Sequence, residues 1–314
     1  MRILITGGFG FIGGRLAEYL AFSGHDIILG SRNLHSISNW LPNAKIEQLK
    51  WNDLAALQKS CKSIDLVVHT AGMNAKDCAA DPLSALAFNG DATSRLVEAA
   101  INGGVERFIY LSTAHVYANP LVGDINKSTP LSNPHPYATS HIAGENAVLS
   151  ANQYKKDFGI VLRLSNVFGA PINKKVNCWM LLINDLCRQA VETKKIVLSS
   201  NGLQERDFIG MSDVCSYIEG VAISSNKSIQ SNILNVGSGI SLSVISMAHL
   251  IQYRCVKILG FKPDLFLKKD NCDVENLKLT YRVNELKSLG ISLKKRKITY
   301  ELDKLLKFCE LTFG

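Results

Sequence analysis

The sequence has no apolar run approaching the ~18 residues that a membrane-spanning helix needs. It is therefore read as a chain that stays out of the membrane. It also has no CxxC pair and no Cys/His cluster. Its cysteines, at 61, 78, 178, 187, 215, 255, 272 and 309, are scattered. That spacing argues against zinc and against a disulfide framework, and for a reducing, cytoplasmic compartment in which they are ordinary buried or half-buried thiols. No aromatic residues interleave with the basic runs "LKKDNC" and "SLKKRKITY", so a net charge of +8 comes without a stacking platform for nucleic acid. The basic excess is either a solvated face or an attraction for a diphosphate ligand. No repeat or low-complexity tract is visible. Met1 and Arg2 lead straight into "ILITGGFGFIGG", which reads as structure and not as a cleavable leader.

What is present is a globular composition. Apolar residues make up 46% and charged residues 20% of 314, enough for a large domain with a smaller lobe. Strand and helix signals alternate from the start. "RILIT", "HDIILGS", "DLVVHTAG", "RFIYLST" and "IVLRLSNVFG" read as strands. "FIGGRLAEYLAFSG", "LAALQKSC", "PLSALAFNGDATSRLVEAAINGG" and "PYATSHIAGENAVLSANQYKKDFG" read as the helices between them. This rhythm predicts an α/β fold with a doubly wound parallel sheet. After Gly169 the rhythm breaks into helix, strand, helix and strand, so the second lobe interleaves with the first.

"TGGFGFIG" carries Gly7, Gly10 and Gly13 after the first strand and at the opening of a helix. Gly7 permits a tight turn, Gly10 lets the backbone approach a pyrophosphate, and Gly13 lets helix and strand pack closely. The helix N-terminus adds N–H groups and partial positive charge. Together these point to a dinucleotide, with Phe11 and Ile12 in the first helical turn beside it. An acidic residue at the end of the second strand would bind a free ribose 2′-hydroxyl. Here that end reads Ser31, Arg32, Asn33, with no carboxylate. Arg32 and Ser31 suit a 2′-phosphate, which favours NADP over NAD, unless Arg32 points to solvent.

These segments, in this order, resemble the extended short-chain dehydrogenase/reductase family of NAD(P)-dependent nucleotide-sugar epimerases, dehydratases and reductases. The likeness runs through "WNDL", "VVHTAG", "FNGDATSRLVEAA", "FIYLSTAHVYA", "PYATSHIAGE", "VLRLSNVFGAP", "QERDFIGMSDV", "NILNVGSGISLSV" and the tail "YRVNELKSLGIS". It implies a Rossmann domain over residues 1–170, with 208–239 returning to it. Residues 171–207 and 240–314 would form a smaller, interleaved substrate lobe. It also implies a homodimer built on two long helices per subunit, and a place in polysaccharide biosynthesis. By resemblance, Asp53 and Leu54 contact adenine, and Thr70, Ala71, Gly72 and Asn89 line the cofactor.

The resemblance places Thr113 and Tyr137 at the family's catalytic Ser/Thr and tyrosine. A proton must move to or from the sugar oxygen as hydride moves at its carbon, and a tyrosine of lowered pKa can carry it. The family's lysine, four residues on, is here His141, which would also hold the nicotinamide ribose. Three readings stay open: an active enzyme with His141 as a weaker assistant, a fold that only binds its cofactor, or a neutral surface change with assistance from elsewhere. If protonated, His141 would replace the lysine charge in part, fading as pH rises through ~6.5.

On the substrate side, Asn166 and Arg206 match positions that hold the diphosphate, unless Arg206 pairs with Asp207 or Asp213. Asn74 is expected to face the sugar. Asn177 and Trp179 either line the sugar or base pocket or, for Trp179, join the core. Thr113 is followed by Ala114 and His115 and not by the Asp-Glu pair of a 4,6-dehydratase. His115 falls where related epimerase-reductases carry an acid/base cysteine; it is either a second acid/base or a packed side chain. The expectation is an NADP-dependent reductase of a nucleotide-linked 4-keto-(6-deoxy)hexose. A nucleotide-sugar 4-epimerase and a catalytically silent binding protein are the alternatives.

Overall fold

The structure, a computed structural model, describes residues 1–33, 40–224, 231–268, 278–284 and 297–314. Cys272 and most of the two late basic runs and of the tail "YRVNELKSLGIS" lie outside the described residues.

A seven-stranded, wholly parallel sheet runs in the order β11-β7-β5-β4-β1-β2-β3. Its strands are β1 (Arg2–Thr6), β2 (Asp26–Ser31), β3 (Lys45–Gln48), β4 (Leu66–His69), β5 (Arg107–Thr113), β7 (Gly159–Leu164) and β11 (Ile233–Val236). The short β-branched runs form central strands because both faces are covered. Ile3, Ile5, Ile109, Leu111, Ile160 and Leu162 turn to one core, and Leu4, Phe108, Tyr110 and Val161 to the other. Helices α1 (Phe11–Phe22) and α8 (Met211–Ile223) cover the first face. Helices α2 (Leu54–Ser60), α5 (Thr93–Asn102) and α6 (Pro136–Ser150) cover the second.

The chain winds outward from β1 to β3, then restarts at β4 on the other side of β1. The reversal leaves a crevice at the carboxyl ends of β1 and β4, where such sheets bind ligands. It places Gly7 beside Thr70 and Ala71.

Three segments depart from the sequence reading. The long helix of 82–102 is not uniform: α4 (Pro82–Ala85) passes through a π-helical stretch, Leu86–Ala92, before α5. The strand "IVLRLSNVFG" divides at Ser165. β7 stays in the main sheet, while β8 (Asn166–Phe168) joins a second sheet in the order β12-β10-β8, with β10 (Glu205–Gly210) and β12 (Ser241–Ser243). The break is held by the Ser165 N–H on Val236 O and by its hydroxyl on the buried Asp207. The run "CWMLLINDLCRQAV", which reads as a helix by sequence, is helical only from Leu182, as α7 (Leu182–Glu192).

A third core joins α7 to α9 (Val244–Leu259), α10 (Ile298–Phe313) and the parallel pair β9 (Lys195–Leu198) and β13 (Asp264–Leu267). The chain also crosses back between the cores. β14 (Leu279–Tyr281) pairs with β6 (Gly123–Ile125), beside an Arg282–Asp124 ion pair. Among the described residues, no helix is long and apolar enough to cross a membrane, and no cluster of His, Cys, Asp and Glu could hold a metal.

Candidate active site

The glycine turn is a close-contact device. Gly7 has a φ of +65°, in the left-handed region that favours glycine, and a Cβ there would meet the Ala71 backbone at 3.0 Å. A Cβ on Gly13 would lie 2.3 Å from the Gly7 carbonyl oxygen. At Gly10 a Cβ would meet only that same oxygen, at 3.0 Å, so the space beyond is open to a ligand. Gly10 caps α1 without a side chain, and the first turn carries no acidic residue. The N–H groups of the first turn, which have no partner among the described residues, and the positive end of α1 therefore face the crevice.

A buried relay holds the opposite wall. Thr93 donates its hydroxyl to the Asn89 carbonyl (2.8 Å). It therefore accepts from Nε2–H of His69 at 2.9 Å, and His69 Nδ1 accepts from the Thr6 hydroxyl at 2.6 Å. Thr6 Oγ1 in turn accepts the N–H groups of Thr70 and Ala71. Burial drives the His69 pKa down to about 3, so this imidazole is a neutral spacer. Asn89, 1% exposed, accepts from Met73 N–H and donates to Ser140 Oγ of α6. Its amide fixes the walls of the crevice and is not left over for a ligand.

Thr113 ends β5, and its hydroxyl oxygen accepts from His115 N–H at 3.1 Å. Tyr137 stands in the first turn of α6, its N–H donating to the ring of the capping residue His135. His141 follows one turn later, its ring centre 4.6 Å from that of Tyr137 in an edge-on contact. The three groups come together as the sequence pattern anticipates. Their charge states do not favour the lysine analogy. Burial lowers the His141 pKa to about 4, so the partly protonated His141 is not what this site holds near neutrality. Burial likewise pushes Tyr137 up to about 12, which the neighbouring Thr113 hydroxyl opposes and Cys78 reinforces.

Beyond Thr113 lies a small cleft lined by His115, Asn119, Ser165, Asn166, Gln204 and Arg206, with Ala114, Leu121, Leu279 and the carboxylate-bearing Glu205, which accepts from Leu279 N–H. Strands β8 and β10 run side by side there. Asn166 donates to the Asp207 carbonyl (2.9 Å), and Arg206 donates to Gln204 Oε1 (3.1 Å). No salt bridge forms from Arg206 to Asp207 or Asp213. The Asp207 carboxylate is taken by Ser165, Ser238 and Gly239. Desolvation lowers the Arg206 pKa, with no carboxylate opposing it. His115 is also lowered, first by burial and then by Arg206 and His135. A half-buried guanidinium without an ion pair among the described residues can take an anion, although Glu205 also lines the cleft.

Other expected residues have different surroundings. Asn74 caps α3 (Ala75–Ala80), its oxygen accepting from Asp77 N–H and one of its two amide protons given to the Asp77 carboxylate. Asp53 caps α2 through Ala56 N–H, immediately before Leu54. Arg32 is exposed, with its guanidinium 5.5 Å from the centre of the Phe88 ring. Ser31 Oγ accepts from Asn33 N–H. Asn177 is exposed, and Trp179 packs on Phe308 and Phe313 of α10. Sequence reasoning missed Tyr110, whose hydroxyl lies 2.9 Å from His141 Nδ1, and Glu145, ion-paired with Arg163. The recurrence of polar residues every fourth position, Tyr137, His141, Glu145, was the available signal for Glu145.

The crevice fits a dinucleotide. The glycines leave room for phosphates at a free helix N-terminus. The buried Trp51 Nε1–H, one residue before Asn52-Asp53, has no partner among the described residues. The comparisons agree with this geometry. An uncharacterised UDP-glucose epimerase of Bacillus subtilis, YtcB, is 27% identical over 271 residues, covering 80% of this chain and 81% of its own. A mouse dTDP-D-glucose 4,6-dehydratase is 30% identical over 267 residues, covering 80% and 72%. The UDP-N-acetylglucosamine 4-epimerase of Methanobrevibacter ruminantium M1, solved with UDP-N-acetylmuramic acid, shares the fold at a TM-score of 0.81 and 24% identity, over 98% of this chain and 97% of that one. Residues 3–237, every element from β1 to β11, match the NAD dependent epimerase/dehydratase family, and the chain belongs to it.

Proposed function

We propose that the protein reduces the 4-keto group of a nucleotide-diphosphate-linked (deoxy)hexose with a nicotinamide dinucleotide, NADPH in preference to NADH. The observation that carries this reading is the pairing of a protonated Tyr137 with a neutral His141 and a facing Thr113 hydroxyl. A phenol with a pKa near 12 is a proton donor at neutral pH and a poor base. The reduced nicotinamide supplies the hydride when bound. Tyr137 gives its proton to the keto oxygen as that oxygen gains charge. Thr113 hydrogen-bonds the same oxygen, and His141 holds the ribose hydroxyls. Tyr137 then recovers a proton from solvent.

Gly7, Gly10, Gly13 and the α1 N-terminus take the pyrophosphate, with Phe11 and Ile12 beside it. Thr70, Ala71 and Gly72 face the nicotinamide half, and Asp53 and Leu54 the adenine. Arg32 with Ser31 and Asn33 is the set suited to a 2′-phosphate; the family's own description names NAD. Arg206 and Asn166 take the sugar diphosphate. His115 stands where it could handle a C–H proton.

The second reading is a nucleotide-sugar 4-epimerase, favoured by the activities for which several relatives are named. It requires Tyr137 to begin as a base, which its raised pKa opposes. As part of the first reading, two copies pair through α6 and the run from α4 to α5, where Leu83 is 82% and Leu86 47% exposed. Sedimentation at micromolar concentration tests that pairing.

The deciding experiment follows NADPH absorbance at about 340 nm on mixing with nucleotide-linked 4-keto-6-deoxy sugars. We expect a decay that falls by roughly a hundredfold or more in Tyr137→Phe. Turnover of UDP-hexoses at C4 with no net loss of NADPH would favour the epimerase. Measurable NADPH binding with no turnover of either kind would overturn both and leave a silent binding protein.

A further inference from the structure

We propose that Tyr110 is a positioning residue that fixes His141 as its Nε2–H tautomer, so that an uncharged donor is turned toward the cofactor turn at Gly72. The inference rests on the reading above only in taking that turn as the nicotinamide end of the cofactor site.

Tyr110 lies on β5, 1% exposed, and its hydroxyl is 2.9 Å from His141 Nδ1. Room for the phenol exists because Gly144, on the next turn of α6, has no side chain. A Cβ there would lie 2.5 Å from the Tyr110 oxygen. Two arrangements of the bond are conceivable. If Nδ1–H donated to the phenol oxygen, the phenol O–H would need another acceptor, and Tyr110 makes no other polar contact among the described residues. A buried O–H would then be stranded. If the phenol donates to Nδ1, the buried hydroxyl proton is used, and the imidazole proton sits on Nε2, which is not among the fully buried unpartnered atoms of the described residues. Cε1, the ring carbon between Nδ1 and Nε2, comes within 3.9 Å of where a Gly72 Cβ would stand, so this edge of the ring lies at the cofactor turn. Nε2 has no partner among the described residues and is free for a ligand.

The surroundings keep the ring neutral. It faces Tyr110 from β5, His69 from β4 and Tyr137 from its own helix, and Cys78 of α3 lies near Tyr137. The nearby Glu145 carboxylate is taken by Arg163 and Ser112. No group in this set supplies a charge that His141 could balance by protonating. The site therefore offers the cofactor a donor but offers Tyr137 no cation.

The test begins with the ligand-free protein, 15N-labelled at histidine, with the His141 signals identified by their loss in His141→Gln. Nε2 should carry the proton and Nδ1 should be an unprotonated acceptor, and Tyr110→Phe should turn this into a mixture of tautomers. The Kd for NADPH should weaken roughly three- to tenfold in Tyr110→Phe, the worth of one neutral hydrogen bond. In the His141→Gln background the same Tyr110→Phe change should have no further effect, whereas a merely structural Tyr110 would weaken both backgrounds alike. A protonated Nδ1 in the wild type, an unchanged tautomer in Tyr110→Phe, or equal losses in both backgrounds would each overturn the proposal. If the protein bound no dinucleotide at all, the cofactor reading would fail, while the spectra would still decide the tautomer.

Discussion

Gly10 and Gly13 look alike in sequence but do different work. A methyl at Gly13 collides with the Gly7 carbonyl and with Thr70 Oγ1, at 2.3 and 2.7 Å, so the helix must move off the sheet. Gly13→Ala should therefore lower stability by about 1–3 kcal/mol and weaken dinucleotide binding with it. A methyl at Gly10 meets one backbone oxygen at 3.0 Å and otherwise enters the space left for the ligand. Gly10→Ala should keep a near-wild-type denaturation midpoint and still lose NADPH affinity by about tenfold or more. Urea titration beside a fluorescence titration of NADPH separates the two, and parallel losses in both variants would remove the distinction. Both glycines were legible from their spacing alone, because a turn is a local matter. The neutral state of His141 was not, because it depends on burial by parts of the chain distant in sequence.

At the scale of elements, α6 is anchored by a buried ion pair. Glu145 accepts from the Ser112 hydroxyl at 2.5 Å and from Arg163 Nε and Nη2 at 3.0 and 2.6 Å. Arg163 also donates to the Tyr117 hydroxyl, and Tyr117 donates to Asn235, so the network spans α6, β5, β7 and β11. Cutting one partner strands a buried charge. Glu145→Gln should cost about 3–5 kcal/mol, whereas Glu145→Leu combined with Arg163→Met should recover much of it, as apolar replacements of buried pairs do. Denaturation midpoints of the three proteins make the comparison; a double variant as weak as the single would contradict it. The π-helical stretch is the other feature of this scale. It places Asn89 where one amide reaches both Met73 and Ser140, joining the cofactor turn to α6. Apolar spacing predicts a helix there but carries no signal for a wider turn.

The whole molecule should be sensitive to acid. His69 and His141 have folded pKa values of about 3 and about 4, and His115 is lowered as well. An unfolded histidine titrates near ~6.5. Between that value and ~4 the unfolded chain binds more protons than the folded one, so stability rises with pH across the window and is lost as pH falls through it. Each of the two deepest histidines contributes up to ~1.4 kcal/mol per pH unit. Asp207, raised by burial, acts in the opposite sense in the acid range. Urea midpoints at pH 7, 6 and 5 should fall steadily, and His141→Gln should remove about one proton's share of the slope. A flat profile would mean that the buried imidazoles titrate as they do in the unfolded chain.

The sequence by itself determined the parallel α/β sheet, the glycine turn and the family, together with the identities of Thr113, Tyr137 and His141 on one strand end and one helix face. These are local or periodic properties, written in residues a few positions apart. Only the tertiary structure decided that Asn74 caps a helix and Asn89 braces two walls of the crevice, that Arg206 has no carboxylate partner among the described residues, and that His141 is a buried, uncharged ring hydrogen-bonded to Tyr110. Each of those outcomes depends on desolvation and on hydrogen-bond partners brought from distant parts of the chain. A residue's type and spacing carry its chemistry, but its protonation and its remaining hydrogen-bonding capacity are set by what packs around it.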